Sequence, residues 1–235
     1  MKTILKKTLG EKTYWRVVAF FMAVYKFWWR LHERLGAFKY SKVALNDLDN
    51  KLMPYLNFRH GFFIEAGAND GVTQSNTYYL EKALGWHGIL IEPLPRLFSM
   101  CKKNRPNSTV YNCALVSPEK EGTAVTICET EPAGLLSKIV EGDKIPDGIA
   151  TAIRGKTLTS VLSETFPKKI DFFSLDVEGY EIPVLNGLDL SKFKPKFILV
   201  ETAQVQNVDS ILLPHYSRIS QLTCHDYLYQ LKDTN

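Results

Sequence analysis

Short apolar runs alternate with mixed apolar and polar stretches along most of this chain. Phe62-Phe63-Ile64-Glu65-Ala66 is almost wholly apolar and ends at a glycine, the pattern of a strand buried on both faces. Residues 88–92, stopped by Pro93, repeat that pattern, and residues 109–114, 170–176 and 196–201 continue it. Between these strands, residues 75–84, 95–104, 157–165 and 180–187 have helical spacing, the first opening at the capping residues Ser75 and Asn76. Residues 123–129 alternate like an additional strand. Residues 130–155, with Pro132, Gly134, Gly142, Pro146 and Gly148, are expected to be loop-rich. In the tail, 217–223 and 226–231 are strand candidates that the short Cys224-His225 link can fold into a hairpin. Strands alternating with helices predict an α/β fold, a mostly parallel sheet with helices on both faces.

The front of the chain follows a different pattern. Residues 17–25 are apolar behind a basic start, but Lys26, Phe27, Trp28, Trp29 and Arg30 follow instead of the small residues of a cleavage site. A spanning helix needs about 20 apolar residues, and this run is shorter. Residues 14–31 are expected to form a helix. Two roles fit it: packing against the domain or a partner, and lying in a membrane interface with Trp15, Trp28 and Trp29 at the headgroup boundary. The expected division is a basic, aromatic helical segment over 1–45 and one catalytic domain over 46–235. The expected location is cytoplasmic, peripheral at a membrane under the second role.

Composition adds bounds. The 235 residues are 45% hydrophobic and 23% charged, which suits one substantial core and excludes a disordered chain. The net charge of +4 is concentrated at the front, where residues 1–42 carry ten Lys and Arg against Glu11 and Glu33. The domain has no basic patch with interleaved aromatics, so nucleic acid is not an expected partner. Cys101, Cys113, Cys128 and Cys224 form no C-x-x-C pair and are expected to be small buried hydrophobes rather than zinc ligands. His87 lies between strand signals, His215 follows Pro214 near the expected cleft side, and His32, His60 and His225 belong to no motif; all five are expected to be surface or satisfied residues.

Acids close the strands four times, at Glu65, Glu92, Asp176 and Glu201. Ligands of an open parallel sheet bind at those carboxyl ends, and an unpaired carboxylate is costly inside a core. The first turn is Glu65-Ala66-Gly67-Ala68-Asn69-Asp70-Gly71, not the G-x-G-x-x-G that seats a pyrophosphate. An acid there repels phosphate and can accept hydrogen bonds from an amino group. S-adenosylmethionine has an α-amino group and no phosphate, and Glu92 on the next strand could hold its ribose.

Residues 62–77, from Phe62-Phe63-Ile64-Glu65-Ala66-Gly67 to Ser75-Asn76-Thr77, resemble the first motif of the FkbM family of methyltransferases. Gly85-Trp86-His87-Gly88-Ile89-Leu90-Ile91-Glu92-Pro93 and Asp171-Phe172-Phe173-Ser174-Leu175-Asp176-Val177-Glu178-Gly179-Tyr180-Glu181 resemble its later blocks. The resemblance covers about residues 58–231. It implies a Rossmann-like class I methyltransferase with a seven-stranded sheet, a C-terminal antiparallel hairpin and S-adenosyl-L-methionine as cofactor. It also implies a hydroxyl acceptor on a sugar, a glycan or another small molecule. By resemblance, Gly67, Asn69 and Gly71 shape the methionine pocket, Glu92 holds ribose, and Asn112 with Ala114 borders adenine.

Methyl transfer to a hydroxyl needs positioning and a proton acceptor. The candidates are Asp176 and Glu178, two residues apart in an expected extended segment and so pointing the same way. They could raise one another's pKa and supply a base, shape the donor pocket, bind a divalent cation with Glu201, or belong to a merely structural turn. Two competing readings are a dinucleotide-dependent oxidoreductase and a membrane-associated cofactor-binding module without catalysis. The missing glycine spacing weighs against the first, and the intact strand-end acids against the second.

Overall fold

The computed structural model describes residues 11–129, 137–140 and 149–233. It divides into two compact units, residues 1–42 and 43–235. The first is built on α1 (Glu11–Arg34), longer at both ends than the expected 14–31. Gly36 stops this helix: its φ of +78° is the left-handed conformation a helix terminus favours. Gly36 N donates to Glu33 O and Ala37 N to His32 O, which satisfies the last carbonyls. Trp29 is buried at 7% exposure, its indole Nε1 donating to Glu33 Oε1 at 2.7 Å. Ser41, in the turn at Lys39–Ser41, donates to the same oxygen at 2.7 Å. Among the described residues no helix is long and apolar enough to cross a membrane.

The second unit opens with α2 (Leu48–Leu56) and continues with β1 (Phe62–Ala66), α3 (Tyr78–Leu84), β2 (His87–Ile91), α4 (Pro95–Asn104) and β3 (Thr109–Tyr111). Next come β4 (Ala114–Leu115), β5 (Ala124–Glu129), β6 (Ser137–Val140), β7 (Ile149–Lys156) and α5 (Leu158–Thr165). β8 (Phe172–Leu175), α6 (Glu181–Asn186), β9 (Phe197–Glu201), α7 (Val205–Leu212), β10 (Tyr216–Gln221) and β11 (Asp226–Leu231) complete it. Seven strands form one sheet in the order β10-β11-β9-β8-β1-β2-β3. β1 pairs in parallel with β2 and β8, and β8 with β9, while β10 and β11 form the expected antiparallel hairpin. The chain fills the sheet from β1 outward on one side and then returns to fill the other. The switch point therefore lies between β1 and β8, where the carboxyl ends of such a sheet open a crevice.

The apolar runs are continuous because both faces are covered. Ile64, Ile89, Phe173 and Ile198 pack in one core cluster. Their neighbours Phe63, Leu90, Phe172 and Leu199 pack in another, with Leu52, Leu56 and Trp86. Strand alternation sends adjacent residues to opposite faces.

Three local expectations change. The first helix starts at Tyr78, not at 75, because Ser75 and Asn76 are held by Glu65 in the loop before it. The run 109–114 is divided: β3 belongs to the main sheet, whereas β4 pairs with β7. The region expected as loop contributes β6 and β7 to a second, four-stranded sheet in the order β4-β7-β5-β6. Residues 130–136 and 141–148 of that region lie outside the described residues.

Candidate active site

A cleft opens at the carboxyl ends of β1, β2 and β8. Glu65, Gly67, Asn69, Glu92, Ala114, Asp176 and Glu178 of the expected site line it. Gly67 is held at φ +85°, and a Cβ there would lie 1.8 Å from the carbonyl oxygen of Asp176. The glycine is required because two strand ends meet at it: Asp176 N donates to Ala66 O, and Gly67 N to Ile91 O. Gly71 and Asn112 do not line the cleft. Gly71 lies against Cys101 and Arg105. Asn112 braces the wall from behind, its Nδ2 donating to Glu92 O at 2.9 Å and Pro93 O at 2.7 Å.

Glu65 is occupied by its own protein. It accepts from Ser75 Oγ at 2.8 Å, Thr77 Oγ1 at 2.6 Å and Asn76 N at 2.9 Å, with Arg105 3.7 Å away. Burial raises its pKa against the opposing pull of Arg105. These bonds fold the loop before α3, and the residue keeps its place on the wall of the cleft. Arg105, fully buried, completes that network: it pairs with Glu81 at 2.8 Å and donates to Gly71 O at 3.0 Å and Thr77 Oγ1 at 2.9 Å. Sequence reasoning missed Arg105, and the one available signal was an arginine between a helix end and Pro106.

That network leaves Asn76 in the cleft. Its Nδ2 donates to Ser174 Oγ at 3.0 Å, and its Oδ1 is buried with no hydrogen-bond partner. A buried acceptor left unpaired is costly, so this atom fits a ligand that brings a donor. Glu92 accepts from Asn69 N at 2.8 Å and Leu94 N at 2.9 Å. Two of its four lone-pair sites remain. Burial pushes its carboxyl up to about 7. Leu115, Ile127 and Ile139 form an apolar wall, all three supplied by the second sheet.

Asp176 follows β8 directly. Burial, and then the charges of Glu201 and Glu178, raise its pKa well above the ordinary carboxylate range. The segment after it is not extended: Glu178 has φ +55° and Gly179 φ +98°, and Gly179 N donates to Glu181 Oε1 at 2.7 Å. The expected parallel aim of Asp176 and Glu178 therefore has no backbone basis. Both still line the first cleft, and both also line a second cleft with Glu181, Glu201, Thr202, Gln204 and His225. Among the described residues, no three His, Cys, Asp or Glu side chains are grouped to hold a metal ion. No metal site is shown for Asp176, Glu178 and Glu201.

Of the cysteines, Cys101, Cys113 and Cys128 are buried as expected and Cys224 is exposed. His225, expected to be a plain surface residue, lines the second cleft, while His215 is exposed and lines neither cleft.

The chain is similar in fold to several solved methyltransferases. A TehB-like SAM-dependent methyltransferase from Corynebacterium glutamicum is 10% identical over 89% of this chain and 97% of its own, at a TM-score of 0.42. An O-methyltransferase from Bacillus cereus in complex with SAH is 11% identical over 86% and 88%, at 0.45. A precorrin-6y C5,15-methyltransferase from Geobacter metallireducens is 12% identical over 80% and 89%, at 0.42. No curated protein matches the chain. The model of the methyltransferase FkbM domain matches residues 65–229, from the acid closing β1 to the last strand of the sheet. That match sets aside the dinucleotide-dependent oxidoreductase. The chain belongs to the FkbM methyltransferase family and is an S-adenosylmethionine-dependent methyltransferase.

Proposed function

We propose that the chain O-methylates a hydroxyl of a sugar, a glycan or another polyhydroxylated small molecule. The observation that carries this reading is that the two clefts share Asp176 and Glu178. One cleft has donor features and the other is rich in hydrogen-bond acceptors suited to hydroxyls.

The first cleft fits S-adenosylmethionine, which when bound supplies a methyl group already activated on a sulfonium. Asn76, whose Oδ1 is unpartnered, would accept from its ammonium. Glu92 would offer its remaining lone pairs to the ribose hydroxyls, and Leu115, Ile127 and Ile139 would line the adenine. The carboxylates of Asp176 and Glu178 would balance the sulfonium charge.

Asp176 is the proton acceptor. Its raised pKa makes it a stronger base than an ordinary carboxylate. S-adenosylmethionine would supply the methyl group to the acceptor oxygen, with the neutral thioether as leaving group. The hydroxyl proton passes to Asp176. Thr202, Gln204 and His225, along the second cleft, hold the acceptor's other hydroxyls.

Asp176→Asn keeps the shape and removes the base. Its turnover is expected to fall by about 10²–10⁴-fold with a much smaller change in donor affinity. Glu178→Gln is expected to lose less rate. A panel of sugar and glycan acceptors, read by mass for a gained methyl group, identifies the substrate. Full activity of Asp176→Asn would remove the base assignment, and methylation confined to amines would remove the O-methyl reading.

A further inference from the structure

We propose that α1 docks the protein on an anionic membrane surface, lying in the headgroup region with its aromatic face down. The proposal is independent of the methyl-transfer reading. Phe20, Phe21, Val24, Phe27, Trp28 and Leu31 are all exposed, Phe27 at 68% and Trp28 at 57%. At about 100° per residue these six fall on one stripe of roughly 120°. The stripe runs along a helix of 24 residues. Contiguous exposed apolar surface of this kind marks an interaction face. Trp29, off the stripe, is already closed by Glu33 and Ser41.

Charge selects the occupant. Residues 1–42 carry ten cations and two acids, a net +8, whereas the whole chain is +4, so residues 43–235 are −4. One of those two acids, Glu33, is engaged by Trp29 and Ser41. Arg16, Arg30 and Arg34 are exposed beside the stripe. A second copy of the chain would bring two +8 segments together, whereas phosphatidylserine headgroups meet that charge with its opposite. Phe and Trp flanked by arginine suit the interface, and the helix is not apolar enough to cross.

The test is sedimentation of the full chain with phosphatidylcholine vesicles and with vesicles containing phosphatidylserine. Pelleting is expected with the second kind only, and it should weaken as salt is raised. Arg30→Glu with Arg34→Glu should weaken partitioning by on the order of tenfold or more. Phe20→Ser, Phe27→Ser and Trp28→Ser together should abolish it while leaving S-adenosylmethionine titration unchanged, which also shows that the catalytic unit is folded. Full recovery in the supernatant with phosphatidylserine vesicles would overturn the proposal. So would undiminished pelleting of both variants, or a dimer in light scattering that the triple variant converts to monomer.

Discussion

Glu92 holds a carboxyl whose protonation decides what it can offer a ribose. Burial pushes it up to about 7, so near neutral pH it is divided between a neutral acid and a carboxylate. Only the carboxylate presents all its free lone pairs as acceptors. Donor affinity is therefore expected to rise with pH across about 6 to 8, approaching tenfold per unit well below the pKa. Glu92→Gln should flatten that profile and weaken binding at pH 8 by about 1–3 kcal/mol. Isothermal titration at several pH values measures both, and an equally steep profile in the variant would assign the proton elsewhere. The four strand-end acids were legible as a set, because an acid closing an apolar run is conspicuous. Their separate duties were not. Glu65 is sealed by Ser75, Thr77 and Arg105, partners that lie 10 to 40 residues away, and sequence spacing shows nothing of such contacts. Asn76 was legible only as a cap; its place in the cleft follows from Glu65 holding the backbone beside it.

At the level of elements, the site is a junction of three strand ends. β1 and β8 pair in register, and the chain leaving β1 must cross the carbonyl of Asp176. Gly67→Ala places a methyl group 1.8 Å from that oxygen at a positive φ. One of the two strand ends has to move, and the turn carrying Asp176 moves with it. A loss of about 2–4 kcal/mol in unfolding free energy is expected, from the left-handed strain and the overlap together. Donor affinity should fall alongside it. Urea denaturation and donor titration of the variant read the two effects, and a parent-like variant would show that the junction tolerates displacement. The parallel strands were legible because each is buried on both faces and so is apolar throughout. The second sheet was not. β7 is half exposed and contains Ala150, Ala152 and Gly155, weak strand formers, so its apolar signal is diluted. The turn at 176–179 was misjudged for a related reason: a left-handed Glu178 carries no mark in the sequence.

For the whole molecule, the same burial that prepares the site taxes the fold. Glu65, Glu92, Asp176, Glu201 and Asp226 all have raised pKa values, with burial the first cause in each. A carboxyl whose folded pKa lies above its unfolded value contributes stability that is complete below the unfolded pKa. That contribution is lost as pH rises through the folded pKa. For Glu92 the window runs from 4.5 to about 7, a loss on the order of 3 kcal/mol. Glu81 has the opposite sign. Burial pushes it up, but Arg105, Ser108 and Lys82 outweigh that and hold it below the ordinary range. Its contribution is already complete above about pH 5 and adds no slope in the Glu92 window. The unliganded protein is therefore expected to be less stable at pH 7.5 than at pH 5.5, with a visibly lower melting temperature. Glu92→Gln should make that slope shallower, whatever it does to the baseline. Saturating S-adenosylmethionine should do the same, because a donor that binds the ionised carboxylate lowers the Glu92 pKa in the complex. Scanning calorimetry of parent and variant at both pH values, with and without donor, measures the slopes. A melting temperature that climbs from pH 5.5 to 7.5 in the unliganded parent would mean these acids are paired and held at or below their ordinary pKa in the fold, and Asp176 would be no stronger a base than an ordinary carboxylate.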